Sequence, residues 1–100
     1  MSKYKVKLTP RAASDIDEIC RYIADEFKAK EAAEEHARLL QEAVLGLAEM
    51  PYRGAERRVG AFADKGYRQL FVKNFTAVYR IDESNKTVIV VTVKYSRSNF

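Results

Sequence analysis

The sequence predicts an α+β domain in which a helical hairpin packs on a small, mainly antiparallel sheet, in the order β-α-α-β-β-β. Three observations predict it: a period of two over residues 4–8, two successive helical stripes of apolar residues between 10 and 50, and three β-rich runs after Gly66 separated by short turns. The chain has 100 residues, enough for one core, so residues 1–100 are read as a single domain.

In the first run Tyr4, Val6 and Leu8 alternate with Lys3, Lys5 and Lys7, as in a strand with one buried face, and lysines on the other face suit a sheet edge. Thr9 is a good N-cap and Pro10 fits the first helical position, where a missing N–H leaves nothing unsatisfied. Ala12, Ile16, Ile19, Ile23 and Phe27 then mark an amphipathic helix from Pro10 to about Lys28, with Asp15, Asp17 and Glu18 near the positive end of its dipole. A second helix starts near Lys30 on Ala33, Ala37, Leu40, Val44 and Leu47 and ends before Met50-Pro51. Residues 52–66 read as a long basic loop. The strands 67–72, 75–82 and 87–95 follow, joined by a tight turn at Lys73-Asn74 and by another over 83–86.

No run approaches the roughly 18 apolar residues of a membrane span, and the alternating N-terminus does not resemble a signal peptide, so a cytoplasmic protein is expected. One cysteine and one histidine, Cys20 and His36, cannot make a disulfide or a zinc site; both read as packing or surface residues, and no metal or cofactor is expected. The net charge of +4 is unevenly spread. Residues 10–50 carry 5 basic and 10 acidic side chains, whereas 51–100 carry 10 basic and 4 acidic. The basic half points to a polyanion or an acidic partner.

Phosphate loops, nucleophile elbows and HExxH motifs are absent from the sequence. What remains is a concentration of cations and tyrosines on and around the strands: Arg57, Arg58, Lys65, Tyr67, Arg68, Lys73, Tyr79, Arg80, Lys94, Tyr95 and Arg97. Cations can hold phosphates and stabilise charge developing in phosphodiester attack, and rings can stack on unpaired bases. The bland alternative is a core Tyr79 and arginines that solubilise a sheet face.

The stretches "YKVKLTPRAASDIDEICRYIADEF", "LAEMPYRG" and "GYRQLFVKNFTAVYRIDESNKTVIVVTVKYSRSNF", in this order over nearly the whole chain, resemble the RelE/ParE superfamily of type II toxin–antitoxin toxins. The resemblance implies a compact α+β toxin that inhibits growth and is neutralised by a cognate antitoxin wrapped over its basic surface, with operator DNA reached only through that antitoxin. RelE-like members cut mRNA in the ribosome; ParE-like members poison DNA gyrase. Carried onto this chain, the RelE pattern makes Arg68, Tyr95 and Arg97 the candidate catalytic residues, with Arg57, Arg58, Lys65, Lys73, Arg80, Lys94 and Phe100 as target-binding candidates. The chain departs from that pattern at Leu70, Thr76, Ser98 and Phe100, and its long helical hairpin is more like ParE. Three activities remain open: a metal-independent mRNA endoribonuclease, a gyrase inhibitor without catalysis, and a member that keeps only antitoxin binding.

Overall fold

A computed structural model describes residues 3–27 and 30–97, without the side chains of Phe27 and Ala33. The described residues form β1 (Lys5–Leu8), α1 (Pro10–Phe27), α2 (Lys30–Gly46), β2 (Ala55–Glu56), β3 (Arg68–Val72), β4 (Phe75–Asp82) and β5 (Thr87–Tyr95). The five strands make one sheet in the order β1-β5-β4-β3-β2. β1 runs parallel to β5 and the other pairings are antiparallel. The predicted Ser98 and Phe100 positions lie outside the described residues.

Thr9 both ends β1 and starts α1. Its hydroxyl accepts the Ala12 amide at 3.1 Å, as an N-cap should, and donates to Val91 O at 3.0 Å. One short side chain thus joins the helix to the strand that its own β1 has just paired with. On α1 and α2 the predicted stripes are the buried ones: Ala12, Ile23, Leu40, Val44 and Leu47 pack with Leu70, Phe75, Ala77, Tyr79, Val88, Val90 and Val93 from one face of the sheet. Burying a side chain such as Leu40 or Leu47 stabilises the fold by about 1.5–3 kcal/mol relative to leaving it in water. Among the described residues no helix is long and apolar enough to cross a membrane.

The tight turn is as predicted, with Val72 opposite Phe75 and Lys73 in the left-handed backbone region (φ 56°). Between β4 and β5 the register shifts at Val78/Tyr79, so that Val91 is an extra residue on β5. The connection 52–66 corrects the reading of an unbroken loop, because it contains β2, which pairs Ala55 with Gln69 and Glu56 with Arg68. Two residues cannot show an alternating pattern. What places them is Gly54: a β-carbon there would lie 2.3 Å from Gln69 O and 2.7 Å from the Tyr79 hydroxyl oxygen, so only glycine lets the chain pass this close to β3.

Candidate functional site

The register sorts the predicted residues by face. Arg68, Tyr79 and Tyr95 share the face that meets the helices; Arg80 and Lys94 hold the alternate positions, in rows with Ile89 and Thr76, and the Lys94 side chain turns at the β5 edge back to Asp15 on α1. Within the first face Arg68 and Tyr95 lie at opposite ends. Arg68 stands across from Tyr79, four residues along β4 from Phe75, which stands across from Tyr95. At about 3.3 Å per residue and 4.8 Å per strand, Arg68 and Tyr95 are roughly 16 Å apart at their α-carbons. The structure therefore does not bring Arg68 and Tyr95 onto one scissile bond.

Arg68 is held by backbone. Its Nε donates to Gly54 O at 2.9 Å, and its Nη2 donates to Gly54 O at 2.6 Å and Tyr52 O at 3.3 Å, with the guanidinium 5.3 Å from the centre of the Tyr52 ring. Tyr79, wholly buried, completes the same arch: its hydroxyl accepts the Gly54 amide at 2.9 Å and donates to Pro51 O at 2.8 Å. The tyrosine is thus core, as the bland reading had it, and the arginine clamps the segment over it.

Arg57 is also buried, donating from Nε to Ala61 O at 2.6 Å and from Nη1 to the Gln69 side chain at 2.9 Å. Gln69 lies across from Val78 on the face turned away from the helices, so Arg57 ties the following loop to that face. Arg58 is exposed and pairs with Glu56 at 3.2 Å, while Lys65 and Arg80 are exposed. The Phe62 ring meets Tyr67 edge-on at 4.8 Å.

At the other end the site is built on the last turns of β5. Tyr95 packs edge-on against Phe75, with ring centres 5.5 Å apart. Lys73 is exposed on the adjoining turn, and Arg97 is exposed just beyond the strand. Ser96 fixes this exit: its amide donates to Asn74 O at 2.7 Å, and its hydroxyl bonds the buried Thr76 hydroxyl at 2.8 Å. A groove of about 340 Å³ runs here between α1 and β5, lined by Ile19, Tyr22, Phe75, Val93, Lys94 and Tyr95.

Lys94 is tethered from below by Asp15, at 3.0 Å. Asp15 lies where β1 has ended and the edge of β5 is exposed to α1, and its Oδ2 accepts the Thr92 hydroxyl at 2.5 Å and the Val93 amide at 3.2 Å. Burial works against its charged form, but the bonds from Thr92, Lys94 and Val93 outweigh it and hold the carboxyl below the usual range. The sequence reading assigned Asp15 to the helix dipole. Its spacing held a better signal, since Asp15 falls three residues after Ala12 and four before Ile19, inside the buried stripe.

A third cluster was not anticipated. Glu83, in the turn between β4 and β5, accepts the hydroxyls of Tyr4 and Tyr52 and the ammonium of Lys86. The Tyr52, Tyr4 and Lys86 bonds hold its carboxyl at about 2.

A model of the family described as the ParE toxin of the type II toxin–antitoxin system parDE matches residues 6–100. No curated protein matches the chain. Among solved structures, the chain resembles one of the chromosomal ParDE toxin–antitoxin system from P. aeruginosa, with TM-score 0.75 and 23% identity over 95% of this chain and 98% of that one. It also resembles one of the toxin–antitoxin complex RelBE2 from Mycobacterium tuberculosis, with TM-score 0.68 and 22% identity over 95% and 93%. A double mutant of E. coli toxin RelE in the free state is more distant, at TM-score 0.58 and 13% identity over 95% and 85%. These likenesses show a shared fold, and the match over residues 6–100 shows that this chain belongs to the ParE toxin family of type II toxin–antitoxin systems.

Proposed function

We propose that this toxin, kept inactive by an acidic antitoxin, stops growth by occupying DNA gyrase as a binding protein and not by cutting mRNA. The observation that carries the reading is the placement of Arg68. A guanidinium grips a phosphate with paired donors, yet three of its five N–H groups, on Nε and Nη2, are directed at the Gly54 and Tyr52 carbonyls. Tyr95 and Arg97 lie at the far end of the sheet, so the three residues expected to cut RNA do not converge. Membership of the ParE family supports the same target.

Under this reading Lys73 and Arg97 belong to a target-binding rim, with Lys94 behind them, while Arg58, Lys65 and Arg80 supply a separate basic surface for the antitoxin. Work on gyrase places the toxin in the cytoplasm, and operator DNA is reached through the antitoxin.

The test uses one purified preparation in two assays: supercoiling by gyrase, and primer extension on mRNA translated in a purified bacterial system. Loss of supercoiling with intact message is the expected result. Cuts within codons that require ribosomes, with supercoiling unimpaired, would overturn the proposal.

A further inference from the structure

β2 covers only Arg68 and Gln69 of β3, so the edge from Leu70 to Val72 is open. Val72 and Phe75 close a two-residue turn, and such a closing pair exchanges its backbone hydrogen bonds. By alternation the N–H and C=O of Phe71 turn the other way, out along the open edge, where they present a donor beside an acceptor. The Phe71 ring is 63% exposed.

A groove of about 370 Å³ runs along this edge between α2 and β3, with apolar walls at Leu39, Ala43 and Leu70 and with Arg53 and Lys73 on its rim. Arg53 lies beside the end of α2, where a Gly46 β-carbon would be 3.9 Å from its Nη1, and the next residue, Gly54, adjoins Gln69. Lys73 stands in the turn beyond Val72. The two cations therefore approach Phe71 from opposite sides. Neither side chain makes a hydrogen bond or ion pair among the described residues. An arginine present only to cap α2 would donate to the last carbonyls of the helix, and Arg53 does not. The carboxylate in the groove, Glu42, is already matched by Arg38 at 2.6 Å.

We infer that this groove binds a nucleotide that carries a phosphate on each side of its sugar. The base lies where a further strand would, with an adjacent donor and acceptor on the Phe71 C=O and N–H and one face against Leu39 and Ala43. The flanking phosphates meet Arg53 on one side and Lys73 on the other. A free nucleoside 3′,5′-bisphosphate and an unpaired nucleotide within a strand share this chemistry. A docked peptide strand is disfavoured, because β2 ends the open edge after a single outward donor–acceptor pair, which suffices for a base and not for a ladder. The inference is independent of whether gyrase or the ribosome is the target.

The experiment titrates the ¹⁵N-labelled full chain with adenosine 3′,5′-bisphosphate, adenosine 5′-monophosphate and inorganic pyrophosphate. Expected are shifts centred on the Phe71 amide and binding of the bisphosphate at least tenfold tighter than of the other two. Arg53→Ala and Lys73→Ala, both on exposed side chains, should each keep the native spectrum and weaken the bisphosphate at least fivefold. A short single strand of deoxyadenosine should move the same amide, and whichever of the strand and the free bisphosphate binds tighter identifies the source. An unmoved Phe71 amide, monophosphate or pyrophosphate binding as tightly as bisphosphate, or shifts centred on Arg58 and Lys65 would each overturn it.

Discussion

The Asp15 carboxylate on α1 and the Lys94 ammonium on β5 lie 3.0 Å apart, and the same carboxylate receives the Thr92 hydroxyl and the Val93 amide. It closes the stretch of β5 edge that β1 is too short to cover. Replacement Asp15→Ala leaves a buried hydroxyl and a buried amide without an acceptor, each worth roughly 1–3 kcal/mol. A loss of about 3 kcal/mol is expected, read as a lower urea midpoint with an unchanged m-value.

The pH dependence follows from the direction of the Asp15 shift. Its folded value is depressed, so its contribution is present above the ordinary carboxylate range near ~4 and is lost as pH falls through the folded value. Asp15→Asn carries no such proton. The stability gap between the parent and Asp15→Asn should be widest at neutral pH and shrink below about pH 4, as measured by urea unfolding at a series of pH values.

Tyr79 and Gly54 make one joint. Tyr79→Phe keeps the packing but strips the hydroxyl from Gly54 N–H and Pro51 O, for a loss of about 2 kcal/mol in urea unfolding. Gly54→Ala forces a methyl into backbone and should be worse. If Gly54→Ala proved harmless, the close approach of β2 to β3 would be wrong.

Arg68 and Arg97 should separate structure from target binding. Arg68→Ala removes charge-assisted bonds to two carbonyls and should lower stability by about 2 kcal/mol. Arg97→Ala, on an exposed side chain, should leave the urea midpoint unchanged while weakening growth arrest. Full toxicity of Arg97→Ala in expressing cells would remove this arginine from the working surface.

Glu83 ties two tyrosines from distant segments. Its bond to the Tyr52 hydroxyl, with smaller contributions from burial and charge, raises the phenol above its usual value. Glu83→Gln should bring the Tyr52 titration back toward about 10, visible by absorbance near the phenolate band. A group raised in the folded state lends stability below its unfolded value and loses it as pH rises through the folded one. Alkaline unfolding of the parent, relative to Glu83→Gln, checks the sign.

Periodicity made most of the fold legible before any coordinates. The stripes through Ile23 and Leu40, the cap at Thr9 and the turn at Lys73 depend on neighbours within a few positions, and all stand as read. What stayed hidden depends on distant partners. β2 exists because Gly54 can slide under Tyr79, 25 positions away, and Asp15 meets Thr92 across 77. For the candidate site, residue type picked out the cations but could not say which were already engaged. Arg68 and Arg80 look alike in sequence; one is clamped on carbonyls and the other faces water. The acceptors that distinguish them are main-chain oxygens, which have no letter in the sequence.

The parallel pairing of β1 with β5 also sets a schedule for synthesis. Thr9 contacts Val91 across 82 positions, and β5 is the strand that joins β1 to β4. While translation proceeds, β1 and both helices leave the ribosome with the centre of their sheet still missing, and contacts this remote in sequence form late. A nascent toxin therefore gains its working shape only after β5 emerges, an interval in which the cell holds a chain that is not yet harmful.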